Sequence, residues 1–341
     1  MSNGYTSVFN SLNDKTFFKL VCGASFEDVL IVENLAFLFS LVGADVLDVA
    51  PKADVIFAAR RGIEKANKIE IKEQSSERRT PIIMASIQLD SDPHFRKAVV
   101  DFNSCDVCGA CINVCPTEAF SKLSSPISEL LYKPERCFGC GFCPEVCHVD
   151  ALSMKEVKQD PSEIIDELLK LGISSVEFHF GKNYKRLNTV WHQIKNKISF
   201  FKLISFSIGW ENADQEEIIH AAKLCRSLAG KNIIIQCDGK SMSGGQNKYS
   251  QNDMDAIEIA KIIDRENLGV YLQLAGGIHE GTAAKIRGFN IHGLAVGSRA
   301  KKMLLPYLNL PDLDLNPIAM QEALTITKSF VAPIKSDLFV V

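Results

Sequence analysis

Eight cysteines fall in two runs of one spacing, Cys105, Cys108, Cys111 and Cys115, then Cys137, Cys140, Cys143 and Cys147. Each run reads C-x2-C-x2-C-x3-C. The second repeats the first beyond its cysteines, because Gly109, Val114 and Ala119 recur as Gly141, Val146 and Ala151, and Phe120 recurs as Leu152. Thiolates are soft ligands suited to iron and sulfide. Three on a tight loop wrap three corners of a cubane, and the distant fourth serves a second cubane. The spacing therefore predicts crossed ligation of two [4Fe-4S] clusters. Cys105, Cys108, Cys111 and Cys147 would hold one cluster, and Cys137, Cys140, Cys143 and Cys115 the other. Gly109 and Gly141 give backbone room and let N–H groups point at sulfur.

This is the bacterial two-cluster ferredoxin pattern, with one departure. His148 stands where the first run has Pro116, and Pro144 precedes the fourth ligand, a change in geometry at Cys147 that leaves ligation in place. Zinc is the competing metal, but its paired C-x2-C arrangement fits four evenly spaced thiols badly. All-cysteine centres work near about −400 mV, which points to a quinone or ferredoxin-level electron donor. Clusters that only hold the fold together are the alternative to redox work. The other cysteines, Cys22, Cys225 and Cys237, read as core, and none has an identifiable His or Asn partner that would make it a nucleophile.

A second set of polar residues lies on segments that read as strands. Lys19, Asp48, Ser86, Glu177, His179, Ser205, Ser207, Gln236, Asp238 and Gln273 each stand between apolar neighbours. Strand alternation places them on one side and the apolar residues on the other; in SVEFHF, Glu177 and His179 oppose Val176, Phe178 and Phe180. Buried charge is unfavourable unless paired, so Lys19, Asp48 and Glu177 imply either a satisfied ion network or a polar ligand pocket. Two glycine turns, Ala275-Gly276-Gly277-Ile278 and Val296-Gly297-Ser298-Arg299, stand where barrels build a phosphate site. Gly276, Gly277, Gly297 and Ser298 are therefore candidate phosphate binders. Lys240, in the loop Asp238 to Gly245, is a candidate charge partner. Two tight turns with no ligand are the other reading.

The elements that must position these residues alternate short apolar runs with amphipathic ones. Strands are expected near Phe17, Val46, Ile82, Ser175, Leu203, Asn232, Val270 and Ile291, with helices between them. The clearest helix is Asp160 to Leu171, with Asp160 as N-cap, Pro161 in the first turn, Glu163 completing a capping box and Gly172 as the stop. Eight βα units predict a TIM-like (β/α)8 barrel, with an open doubly wound sheet as the alternative. The expected division is residues 1–100 for three βα units, 101–155 for an inserted ferredoxin-like domain, 156–304 for the remaining units and 305–341 for a wrapping tail. That tail carries one helix near Ile318 to Phe330. The charged run Lys68 to Arg79 reads as a solvated linker.

Composition sets the outer bounds. The chain has 341 residues, 46% of them hydrophobic and 23% charged, enough apolar surface for a large core. A net charge of −3 with mixed signs argues against nucleic acid as a partner. The longest apolar stretch, Leu35 to Ala44, is too short for a bilayer span, and the N-terminus fits neither a secretory signal nor a transit peptide. A cytoplasmic protein is expected, in a compartment where clustered thiols serve metals rather than disulfides.

The opening FFKLVCGASFEDVLIVENLAFLFSLVGADVLDVAP, the two cysteine motifs, QCDGKSMSGG, LAGGI and GLAVGSRA together resemble the cyanobacterial light-dependent period protein family. The resemblance covers nearly the whole chain. It implies an iron–sulfur protein that feeds cellular redox state, and so light quantity, to clock-input proteins. It carries over to the eight cysteines and to no catalytic residue. The preferred reading is a redox sensor or adaptor rather than an enzyme. The alternative is an oxidoreductase that passes electrons from the clusters to a flavin or other phosphate-bearing ligand in the barrel.

Overall fold

The computed structural model describes residues 3–69, 80–123, 129–180, 184–209, 213–239 and 249–335. Eight parallel strands close into a barrel: β1 Phe17–Val21, β2 Val46–Val49, β3 Ile82–Gln88, β8 Ser175–His179, β9 Leu203–Gly209, β10 Ile233–Asp238, β11 Tyr271–Ala275 and β12 Gly293–Val296. Between β3 and β8 come β4 Arg96–Val100, β5 Phe120–Leu123, β6 Glu129–Tyr132 and β7 Leu152–Glu156. The barrel strands follow one another in chain order, with β3 pairing directly with β8, and β12 returns to β1. Closure excludes the open doubly wound sheet.

Alternation along each strand sorts the side chains. On β8, Val176 and Phe178 face outward, where Phe178 meets Trp191 and Phe206 at ring separations of 5.7 and 5.6 Å. Inside, Phe17, Val46, Met84, Leu203 and Ile234 form an apolar floor with Val8 and Leu12 of the N-terminal helix Asn3–Asn13. The floor is tied off by Asp45, which accepts from the Ser11 hydroxyl and the Phe18 amide, both at 2.8 Å, and pairs with Lys335. Above the floor the interior turns polar. An apolar bottom and a polar top put the chemistry at the strand C-termini.

The insertion leaves and returns on an antiparallel ladder in which Arg96 faces Glu156 and Val100 faces Leu152. Its ordered structure is therefore wider than residues 101–155. The short β4, which opens on Arg96 and Lys97 and leaves Val99 exposed, lacks the longer apolar run that marks the barrel strands. The insertion is bound to the barrel: Arg136 donates to Asp28 at 2.7 Å and to Asn309 at 2.8 Å, and the Glu27 amide donates to the Glu135 carbonyl at 2.8 Å.

Three local expectations change. Helix Pro161–Lys170 is capped by Asp160, which accepts from the Ser162 and Glu163 amides, but the full reciprocal box occurs at Asp214 and Glu217 instead. The tail does not begin at Leu305, because helix Ser298–Leu308 runs through Pro306. A proline near a helix's last turn removes one amide donor without ending the helix, and buried Leu304 and Leu308 hold this turn in place. The expected tail helix spans Pro317–Val331. Lys68 ends helix Ala53–Lys68, and 70–79 of the linker lie outside the described residues.

Candidate functional site

In the insertion, Gly109 and Gly141 adopt left-handed backbone, φ +82° and +85°, and open the short helical turns Ala110–Val114 and Phe142–Glu145. The turns bring Cys111 and Cys143 into the interior of the insertion. Amide groups aim at sulfur, and those to the two fourth cysteines match. Ala119 donates to Cys115 and Ala151 to Cys147, both at 3.2 Å, while Val107 donates to Cys105 and Ala98 to Cys137, both at 3.4 Å. The sequence repeat is thus a repeat of geometry.

The fourth cysteine of the first run lies with the second motif. Cys115 lines a small cavity with Cys137, Cys140 and Cys143, beside Phe138, Phe142 and Met154. The residue after Cys147, His148, places Nδ1 3.9 Å from Cys108 Sγ and Nε2 3.0 Å from Asp106. Burial raises the Cys111 and Cys143 thiols and pushes Cys140 up to about 11, so cationic iron is the natural counter-charge for thiolates here. Thiols in two groups with amides aimed at sulfur fit iron–sulfur cubanes.

At the barrel mouth a cavity of about 100 Å³ is lined by residues from both parts of the chain. Gly276, Gly277, Gly297 and Ser298 all border it, as do Arg299 and Lys301. Gly276 and Gly277 have φ of +72° and +77°, which favours glycine, and Gly297 caps helix Ser298–Leu308. The structure brings the expected phosphate binders together on one wall. Lys240 and the loop through Gly245 lie outside the described residues.

The opposite wall is the acid–base network. Lys19 pairs with Glu177 at full burial; Ser205 donates to Glu177 at 2.7 Å and Ser86 to Asp48 at 2.8 Å. Gln273 donates to Gln236 at 2.7 Å. Burial disfavours the Glu177 carboxylate, yet Lys19 and His179 hold it well below the usual range. Burial and the Glu177 charge push Asp48 up to about 6. Burial opposes charge on His179, but Asp92 and Glu177 outweigh it and raise the imidazole to about 10. The ion network and the pocket are one arrangement rather than alternatives.

Four residues at this mouth escape the sequence pattern: Asp92, His94, Phe138 and Lys301. Asp92 and His94 sit in the segment Pro93–Phe95 that leads from β3 to the insertion, where Asp92 caps a single turn by accepting from the His94 amide. Lys301 donates to the Val21 and Cys22 carbonyls at 3.0 and 2.9 Å. Phe138 follows Cys137 yet lines the barrel cavity. Its signal is an aromatic residue where the first motif has Asp106.

Residues 167–333 match the family described as "Light dependent period A C-terminal domain", and residues 97–152 match "4Fe-4S dicluster domain". The chain is 29% identical over 338 residues to "Light dependent period A" of Synechococcus elongatus, covering 93% of this chain and 91% of that protein. A ferredoxin of Methanothermococcus thermolithotrophicus is 32% identical over 59 residues, 17% of this chain and 95% of the ferredoxin. Among solved structures, tryptophan synthase from M. tuberculosis has a TM-score of 0.46 at 9% identity, covering 97% of this chain and 99% of that one. An aldolase from Escherichia coli K12 has 0.45 at 11%, covering 96% of each. Among the described residues, no helix is long and apolar enough to cross a membrane.

Proposed function

Because the chain belongs to the light-dependent period A family, we propose that it is a redox sensor whose iron–sulfur module reports the cell's light-dependent redox state to clock-input proteins. Two cubanes, held by Cys105, Cys108, Cys111 and Cys147 and by Cys137, Cys140, Cys143 and Cys115, would supply one-electron chemistry from a quinone or ferredoxin-level donor in the cytoplasm. The chain's own residues set the conditions. The amides of Ala98, Val107, Ala119 and Ala151 stabilise negative charge on sulfur.

The observation that carries the reading is Phe138. It is bonded to Cys137 on one side and packed with the barrel core and cavity on the other. Lys301 lies over its ring at 5.8 Å, and Arg136, next to Cys137, grips Asp28 of the barrel. A change of charge in the module therefore bears on the barrel mouth, through packed side chains rather than a mobile tether. The test is an anaerobic potentiometric titration read by electron paramagnetic resonance, with iron and sulfide counted on the same sample. About eight irons, a low-potential transition and partner binding that differs between the two redox states support the sensor. Zinc in place of iron, or partner binding blind to redox state, overturns it.

The cavity favours one second reading, an oxidoreductase that acts on a flavin or another phosphate-bearing ligand. Gly276, Gly277, Gly297 and Ser298 would cradle the phosphate, and Phe138 would separate the ligand from the nearer thiol group. Stoichiometric flavin in the mass spectrum of anaerobically purified protein would favour this reading. Iron and sulfide alone would favour the sensor.

A further inference from the structure

The carboxylate of Asp92 lies between two imidazoles. Its Oδ1 is 2.6 Å from His94 Nδ1, and its Oδ2 is 3.7 Å from His179 Nδ1. One ligand atom from each of the three lies within 4.8 Å of the others. From this convergence we propose that Asp92, His94 and His179 form a binding site for a first-row divalent transition cation such as zinc or ferrous iron, separate from the cysteine module.

Position and chemistry both argue for it. His179 is about 3% exposed, and its Nδ1 has no hydrogen-bond partner among the described residues. A buried imidazole nitrogen without a hydrogen-bond partner is unfavourable, and a cation that displaces its proton and bridges it to Asp92 would satisfy it while taking the place of the imidazolium charge. The ring is held in place from other sides: Phe95 packs edge-on at 5.3 Å, and Nε2 stands 3.3 Å from Glu177 Oε1 and 3.4 Å from the Ser86 hydroxyl. Such outer partners orient metal-binding imidazoles through the nitrogen that does not ligate. His94 has the same pattern, with Nε2 3.6 Å from Asp238.

Two imidazole nitrogens and one carboxylate oxygen select borderline cations over magnesium or calcium, which take oxygen ligands. Three protein ligands leave coordination positions open. His94 and His179 both line the cavity, so the open side faces the glycine wall, where a small anionic oxygen ligand would complete the shell. The site spans β8 and the segment that begins the insertion. It exists only when barrel and insertion are docked.

Zinc is the probe, because it is counted independently of cluster iron. Holoprotein with intact clusters is equilibrated anaerobically with micromolar zinc, desalted and analysed by mass spectrometry for zinc, with the cluster absorbance as a check on folding. The wild type should retain about one zinc per chain. His94→Gln, whose side chain is partly exposed, and Asp92→Asn should each lose at least about tenfold in affinity with cluster absorbance unchanged. His179→Gln should do the same where it folds. His148→Gln, beside Cys108, should bind zinc as the wild type does. Failure of the wild type to retain zinc, or wild-type retention by His94→Gln, overturns the site. Either result leaves the redox-sensor reading untouched.

Discussion

The Lys301 ammonium stands 5.8 Å from the centre of the Phe138 ring and 5.6 Å from that of Phe26. A buried cation is therefore wedged between the barrel and the first aromatic side chain after Cys137. Such rings attract a cation at this range. The two carbonyls it binds do not offset the loss of water, and burial lowers Lys301 to about 8.

The sign of the resulting pH dependence follows. The folded value lies below that of an unfolded lysine, so the unfolded chain binds more protons between the two. The unfavourable contribution of Lys301 should be fully present below about pH 8 and fade as pH rises toward about 10.4, on the order of 3 kcal/mol in all. Urea unfolding of the anaerobic holoprotein at several pH values reads this rise. Lys301→Met should flatten it. The slope is the measurement, because Met also leaves the Val21 and Cys22 carbonyls without their donor. An unchanged slope would show that Lys301 titrates normally.

Beneath the barrel, Asp45 and Lys335 are each about 1% exposed. Burial pushes Asp45 above its ordinary value despite Lys335, so this pair is held by geometry rather than by a favourable medium. Lys335→Met strands the carboxylate and should destabilise by about 3–5 kcal/mol. Adding Asp45→Asn should recover much of that loss, since it removes the stranded charge while its amide oxygen still accepts from the Phe18 amide and its NH2 group can donate to the Ser11 hydroxyl. Non-additivity in denaturant midpoints checks the coupling. Additive losses would refute it.

Gly62 is where helices Val29–Leu41 and Ala53–Lys68 approach each other. A Cβ there would sit 2.2 Å from the Glu33 carbonyl oxygen and 2.8 Å from Ala36 Cβ. Alanine normally favours a helix by about 1 kcal/mol over glycine. Here backbone must move, and overpacking of this kind costs about 1–3 kcal/mol or more. Gly62→Ala should therefore destabilise, with a lower urea midpoint and unchanged slope. A stabilised variant would mean that the helices separate freely.

Ser298 tests the glycine wall. As the first residue of helix Ser298–Leu308 it meets unpaired amides, where Asp is tolerated or mildly favourable in the absence of a ligand. Ser298→Asp should keep stability and clusters while repelling a phosphate. Native mass spectrometry of the wild type with flavin mononucleotide and sugar phosphates is the reference. If the wild type binds none of these, the turns at Gly276 and Gly297 are structural.

The barrel strands were legible because a parallel sheet buried by helices needs unbroken apolar runs, and polar interruptions such as Glu177 and His179 then stand out. The cysteine motifs were legible because their spacing is itself the geometry of a ligand loop. Asp92, His94 and Lys301 were not. Asp92 and His94 lie in a single irregular turn with no period, and Lys301 is one of two adjacent lysines on its helix, marked only by the fold that turns it inward. Phe138 belongs to the insertion by sequence and to the barrel by packing, which no local pattern encodes. That Gly297 and Ser298 line the cavity followed from their position after the last strand, which barrel topology fixes.

Crossed ligation makes the sharpest prediction. Cys147 is near Cys143 in sequence, but the chain that follows it lies against Cys108, through His148. Cys115 shares its cavity with Cys137, Cys140 and Cys143. Cys147→Ser should therefore perturb the cluster of Cys105, Cys108 and Cys111 and spare the other, because a serine oxygen is a harder and poorer ligand for iron than a thiolate. Cys115→Ser should do the converse. Each product should be a three-iron centre or a serine-ligated cubane of shifted potential, which paramagnetic resonance distinguishes. Two comparisons fix the assignment: Cys108→Ser should resemble Cys147→Ser, and Cys140→Ser should resemble Cys115→Ser. The Ala151 amide, aimed at Cys147 as Ala119 is at Cys115, would lose its sulfur acceptor in the first variant alone. Should Cys147→Ser behave like Cys140→Ser, each motif holds its own metal locally and the crossing is refuted.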